Sequence, residues 1–364
     1  HRAGWLEVRR VTANIVLLPG DGIGPDVVKS AVDVLTRVGE IYGHRFTFTS
    51  KLIGGEALRK GLGALPDDTR DACKASDAVL LGAVGDPSFD NRPPAERPEA
   101  GLLGIRREMQ LFANVRPAKV WPGLEQSGPL KPEILAGTDL IVVRELTGGL
   151  YYGKPRGIEP DGSAAVNTMI YTRPEIERVA RVGFKLAQAR GKRLLSVDKA
   201  NVLEVSRLWR TVVTEVAKEF PDVTLAHELV DAAAMKLALA PSKFDVIVTG
   251  NLFGDILSDE AGAVCGSLGL LPSASLGEGP GLFEPVHGSA PDIAGRDIAN
   301  PIGTIASAAM LLSDGLGLAK EAAAVNAAIE RVLASGLRTA DIAPAGVKPT
   351  GTRAFTDAIV TALA

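Results

Sequence analysis

Short apolar runs bounded by glycine or polar residues recur along the chain and alternate with stretches of helical period. The runs ANIVLL (13–18), DAVLLGAV (77–84), DLIVVREL (139–146), RLLSVDKAN (193–201) and FDVIVTGN (244–251) predict strands. Each ends in the polar or glycine residues where a parallel sheet usually presents its chemistry. The clearest predicted helix is TRPEIERVARVGFKLAQARG (172–191). Thr172 suits the cap and Pro174 the first turn. Ile176, Val179, Ala180, Gly183, Phe184 and Ala187 then form one stripe, and Gly191 ends it.

Strand–helix alternation of this kind predicts an α/β protein, with a mixed, mostly parallel sheet covered by helices. Residues 150–172, LYYGKPRGIEPDGSAAVNTMIYT, break the pattern. Alternating segments flank EPDGS there, which predicts a protruding β-hairpin of the sort that serves as an arm between subunits. No internal repeat interrupts this organisation.

At 364 residues the chain is long for one core, so two domains are expected. A net charge of −3 argues against a nucleic-acid or membrane surface. No apolar run reaches the length of a bilayer span. Cys73 and Cys265 lie far apart and outside any zinc spacing, which points to reduced thiols and a cytoplasmic setting. The opening HRAGWLEVRR reads as an extension outside the fold. Its arginines hint at a transit peptide; Glu7 and the lack of serine argue against one.

Several stretches carry candidate chemistry. NLFGDILSDEAG (251–262) sets Asp255 and Asp259 one helical turn apart. On a bare helix that like-charge pair costs about 0.2–0.5 kcal/mol. The cost vanishes if a hard divalent cation sits between the carboxylates; the alternative is a solvated acidic face. LPGDGIGPDVV (18–28) spaces Gly20, Gly22 and Gly24 as G-x-G-x-G, which fits a tight strand-to-helix turn near a ligand better than a dinucleotide fingerprint. Glu40 lies at a ribose-binding distance from it but within a helical stretch.

Arg106, Arg116 and Arg144 offer planar recognition of carboxylates, or serve as ordinary ion pairs. Arg144, at the exit of an apolar strand, needs a partner most. Lys199 also follows an apolar strand, either as a surface lysine or as a base whose pKa nearby cations lower. Tyr151 is a proton donor or a packed aromatic. Asp231, on a helical pattern, would complete a three-carboxylate metal site with Asp255 and Asp259. Finally, residues 281–301, GLFEPVHGSAPDIAGRDIANP, read as one long structured loop. It holds Glu284, His287, Asp292 and Asn300, small residues for close backbone approach, and an acid able to take a ribose hydroxyl.

Taken together, LPGDGIGP, ELTGGLYYG, VDKANVL, GNLFGDILSDEAG and FEPVHGSAPDIAG resemble, in order, the β-decarboxylating dehydrogenases of 2-hydroxy acids, the isocitrate and isopropylmalate dehydrogenases. The resemblance spans roughly 13–363. It implies a two-domain fold that is not Rossmann. Residues 1–113 plus 266–364 would carry most of the NAD site, and 114–265 the dimer interface and arm, with the active site in a cleft. It also implies a homodimer with shared sites, in which Lys199 and Asp231 enter the partner's site.

The roles carried over are catalysis by Tyr151 and Lys199, and Mg²⁺ or Mn²⁺ binding by Asp231, Asp255 and Asp259. NAD is assigned to Ile23, Glu284, His287, Gly288, Ser289, Ala290, Pro291, Asp292 and Asn300, with Asp292 favouring NAD because its charge repels a 2′-phosphate. RPEAGLLGIRR (97–107) resembles the substrate loop of the isopropylmalate branch. Glu99 and Leu102 would meet an alkyl group there, with Arg106, Arg116, Arg144, Val202 and Asp231 completing the substrate site. A leucine in that place leaves a third carboxylate poorly solvated.

Two positions depart from the family pattern: GDPSFD (85–90) lacks a lysine–aromatic pair, and Gly303 replaces an alanine. The implied activity is NAD-dependent oxidative decarboxylation of an alkyl-bearing 2-hydroxy diacid. The alternatives are a relative acting on D-malate, tartrate or homoisocitrate, or a non-catalytic regulatory subunit. The last sits badly with Tyr151, Lys199, Asp231, Asp255 and Asp259 all being present.

Overall fold

The structure, a computed structural model, describes residues 10–363, so the arginine-bearing extension before residue 10 lies outside it. Two compact units divide the chain: 1–109 with 279–364, and 110–278. The breaks fall at 109/110 and 278/279 rather than at 113/114 and 265/266.

The chain enters the first unit with β1 (Thr12–Gly20), α1 (Gly24–Tyr42), β2 (Arg45–Ser50), α2 (Gly54–Arg59), α3 (Asp67–Ala75), β3 (Ala78–Ala83) and α4 (Glu99–Glu108). It then builds the second unit from β4 (Ala113–Lys119), the short α5 (Pro132–Leu135), β5 (Asp139–Glu145), β6 (Arg156–Ile158), β7 (Ala165–Asn167), α6 (Arg173–Gln188), β8 (Arg193–Asp198), α7 (Glu204–Val216), β9 (Thr224–Leu229), α8 (Val230–Leu239), β10 (Val246–Thr249), α9 (Asn251–Val264) and β11 (Pro272–Leu276). It returns to the first with β12 (Gly281–Pro285), α10 (Ile302–Met310), α11 (Ala319–Ala334) and α12 (Thr352–Ala362).

In the first unit the order β2–β1–β3–β12 is parallel throughout. Every residue of β3 and β12 is buried, as expected of parallel strands covered on both faces. β12 is the first part of the segment read above as one loop; the loop proper starts after Pro285. Helix α1 turns Val27, Val28, Ala31, Val34, Leu35 and Val38 inward and packs on α10 and α12.

In the second unit the order is β11–β4–β5–β10–β8–β9. β4 runs antiparallel to both its neighbours, and the other pairs are parallel. The β11–β4 ladder is what draws 272–276 into this unit. Helix α6 buries the six-residue stripe its period predicts, and Thr172 and Glu175 form a capping box at its start. β6 and β7 pair as an antiparallel hairpin, exposed at all six of its residues.

Candidate active site

In the first unit, the β1–α1 turn is held by its glycines. Gly22 has φ +57°, and a Cβ there would lie 1.9 Å from the Ser289 carbonyl oxygen, so only glycine lets the turn press against the 286–300 loop. Ile23 N–H donates to that same carbonyl at 2.8 Å. The Ile23 side chain is buried with Val27 and Ala299, flanked by Ala290, Ile293 and Ala294. Glu40, by contrast, is an exposed residue in the last turn of α1, far along the helix from this turn, and pairs with Arg37 at 3.1 Å.

Within the loop, His287 Nδ1 lies 2.9 Å from the Gly288 carbonyl, while its Nε2 is shielded from solvent with no partner. That orphaned ring nitrogen fits a bound polar group such as a dinucleotide. Gly288, Pro291 and Asp292 are exposed beside it, and Ser289 is buried. Asn300 is buried; its Oδ1 accepts from Ile302 N–H at 3.0 Å, and its Nδ2 donates to Asp341 Oδ2 at 3.0 Å. Thr339 Oγ1 donates to Asp341 Oδ1 at 2.6 Å. Asp341 is thus a residue of this loop's surroundings that the motifs do not reveal.

Burial depresses the His287 pKa, and that of His227. The native state therefore resists protonation that the unfolded chain accepts from about pH 6.5 downward. Stability present at neutral pH should fall as pH drops through that value. His287→Gln is expected to flatten part of the decline in melting temperature between pH 7.5 and 5.5; an unchanged slope would contradict this cause.

Glu99, Leu102 and Arg106 stand at i, i+3 and i+7 on α4, hence on one face. Arg106 Nη2 donates to Glu284 Oε1 at 2.9 Å. Its Nε is also shielded from solvent, with no acceptor.

The second unit carries the remaining candidates. Arg144, at the end of β5, donates through Nε to Asn251 Oδ1 at 3.0 Å, and through Nη1 to Asp255. Its guanidinium also lies 5.5 Å from the centre of the Tyr151 ring. The Tyr151 hydroxyl donates to Asp255 Oδ2 at 2.7 Å. Burial, then the Asp255 hydrogen bond and charge, raise its pKa and keep the phenol protonated. Arg116, on β4, reaches Asn114 Oδ1 at 2.7 Å, Ser258 Oγ at 2.8 Å and Asp259 Oδ1 at 3.1 Å.

The buried-strand arginines are thus matched by carboxylates from one turn of α9. The donor set there is hard oxygen, which suits Mg²⁺ or Mn²⁺. Among the described residues of one chain, however, no three His, Cys, Asp or Glu side chains gather as a metal cage. Asp231 instead accepts from Lys199 Nζ at 2.6 Å, and that hydrogen bond is the first cause of its lowered pKa. Lys199 is presented by a turn in which its backbone N–H donates to Ser206 Oγ at 3.0 Å and its carbonyl accepts from Val202 N–H at 3.0 Å. No helix among the described residues is long and apolar enough to cross a membrane.

The family model for isocitrate/isopropylmalate dehydrogenase matches residues 14–359. A solved isocitrate dehydrogenase from Methylococcus capsulatus is 36% identical and superposes with a TM-score of 0.84, covering 96% of this chain and 99% of that one. The chain belongs to the isocitrate/isopropylmalate dehydrogenase family. Within it, the 3-isopropylmalate dehydrogenase of Aquifex aeolicus (strain VF5) is 57% identical over 348 residues, covering 95% of this chain and 96% of that protein. The 3-isopropylmalate dehydrogenase of Bacillus subtilis (strain 168) is 58% identical over 333 residues, or 90% and 91% of the two chains.

Proposed function

We propose that this protein oxidatively decarboxylates 3-isopropylmalate to 4-methyl-2-oxopentanoate and CO₂ with reduction of NAD, a step of leucine biosynthesis. The observation that carries the substrate is on α4: an arginine whose shielded Nε lacks an acceptor shares a face with Leu102. A carboxylate clamp beside an alkyl side chain suits an alkyl-substituted diacid.

In this reading Arg106, Arg116 and Arg144 hold the carboxylates, while Leu102 and Val202 shield the alkyl group and Glu99 borders it. Lys199 takes the proton of the 2-hydroxyl as C2 is oxidised. Tyr151, kept protonated by its surroundings, delivers a proton to C3 once CO₂ has gone. NAD, when bound along the 286–300 loop with Ile23, Glu284, His287, Asp292 and Asn300, supplies the hydride acceptor. A divalent cation held by Asp255, Asp259 and Asp231 supplies Lewis-acid polarisation of the substrate oxygens.

Lys199 and Asp231 come from a second copy of the chain in this scheme. Support for a homodimer comes from the exposed apolar side chains of α8 and α9: Met235 is 57% exposed, Leu239 63% and Ile256 56%.

NADH formation from 3-isopropylmalate, isocitrate and D-malate, with and without Mn²⁺, tests the assignment. 3-Isopropylmalate should be preferred. Leu102→Ser should cut its kcat/KM by about 10- to 200-fold, the usual worth of an alkyl contact. A preference for isocitrate would refute the substrate.

A further inference from the structure

Asn251, the first residue of α9, is 1% exposed and spends every polar group within the second unit. Its Oδ1 accepts from Arg144 Nε at 3.0 Å, and its Nδ2 donates to the Gly148 carbonyl at 3.1 Å. Its backbone N–H, one of those a helix start leaves without an internal acceptor, donates to the Tyr171 hydroxyl at 2.7 Å. The amide has one workable orientation, because a flip would face NH₂ against the Arg144 N–H and oxygen against the Gly148 carbonyl.

The turn it grips is otherwise tightly cased. Gly148 N–H donates to the buried Glu145 Oε2 at 2.8 Å. A Cβ on Gly148 would lie 2.8 Å from the Tyr171 ring, and one on Gly149 2.6 Å from its hydroxyl. Gly148 and Gly149 lead directly into Tyr151, and Arg144 Nη1 continues to Asp255 on Asn251's own helix. One carboxamide therefore ties together the strand end bearing Arg144, the turn bearing Tyr151 and the helix bearing Asp255.

We infer that Asn251 is a positioning residue that holds Arg144 and the Tyr151 turn in register with Asp255 for the reaction proposed above, on which this inference rests. It touches no reacting atom. Its acceptor arm orients the arginine, and its donor arm places the proton donor.

The test uses the intact protein with 3-isopropylmalate, NAD and saturating Mn²⁺, and the variants Asn251→Ala, Asn251→Asp and Tyr171→Phe. Asn251→Ala should lower kcat/KM for the diacid by about 10- to 100-fold, the effect of losing a buried hydrogen bond to a charged group, with KM for NAD within about two-fold of the parent. Asn251→Asp keeps the acceptor for Arg144 and loses the donor to Gly148, so KM for the diacid should recover while kcat stays depressed. Should Asn251→Ala fail to fold, Asn251→Asp and Tyr171→Phe decide by the same split between KM and kcat. A lowered melting temperature with parental kcat and KM per folded molecule in these variants would overturn the positioning role. A parent inactive on every diacid of the panel would overturn the functional reading, and this inference with it.

Discussion

Lys199→Ala is expected to lower turnover by about 10²- to 10⁴-fold, the usual contribution of a positioned general base, while leaving NAD binding intact. In one chain the ammonium sits on Asp231, at the mouth of a turn fixed by Ser206 and by backbone hydrogen bonds to the Lys199 carbonyl. The substitution therefore removes a side chain without disturbing the segment that presents it. A second measurement tests the proposed homodimer. If each site takes its lysine from the other subunit, Lys199→Ala and Asp255→Ala proteins are each inactive, yet a mixed dimer rebuilds one intact site of two. Random exchange of subunits in an equal mixture should then restore about a quarter of parental activity, because a two-fold interface offers the same surface from both copies. No recovery on mixing would mean that each chain completes its own site.

Chelation of Mg²⁺ and Mn²⁺ is expected to bring NADH formation to background, with recovery on adding Mn²⁺. The loss should be on the order of 10³-fold or more, since a Lewis acid supplies several kcal/mol of charge stabilisation. The carboxylates of α9 are engaged by Arg144, Tyr151 and Arg116. A divalent ion must compete with these partners, so Asp255→Asn, with less negative charge, should raise the half-saturating Mn²⁺ concentration at least about ten-fold. Full activity in chelator would remove the metal from the mechanism.

The strands legible in the sequence are those with apolar runs, together with the β6–β7 hairpin signalled by EPDGS, and the helix most legible, α6, buries each residue of its stripe. The strands that were not legible share physical reasons. β4 carries Arg116 and Pro117 in its middle, β11 is made largely of small residues, and β12 is five residues long with a glycine and a proline at its ends. β2 and β9 are edge strands of mixed burial: neither has a continuous apolar run, and the alternation in β2 rests on only two apolar residues, Phe46 and Phe48.

The same contrast holds at the site. Asp255 and Asp259 declare themselves by helical spacing. Asn251, in the same motif, does not, because its partners Gly148 and Arg144 lie 103 and 107 residues away. Asp341 reaches Asn300 across 41 residues of chain, and no local pattern signals it. Short-range periodicity reports which face is apolar; it is silent on which polar groups the tertiary fold brings together.

The first unit is stitched from two separated segments, 1–109 and 279–364, with α1 packed on α10 and α12. During synthesis the ribosome therefore releases all of the second unit before it delivers the helices that cover α1. The early part of the chain must wait, with the inward face of α1 uncovered, until α10 and α12 have emerged. A premature stop late in the message leaves an unshielded remnant of the first unit joined to a second unit already complete in sequence, a substrate for chaperones rather than a shortened enzyme.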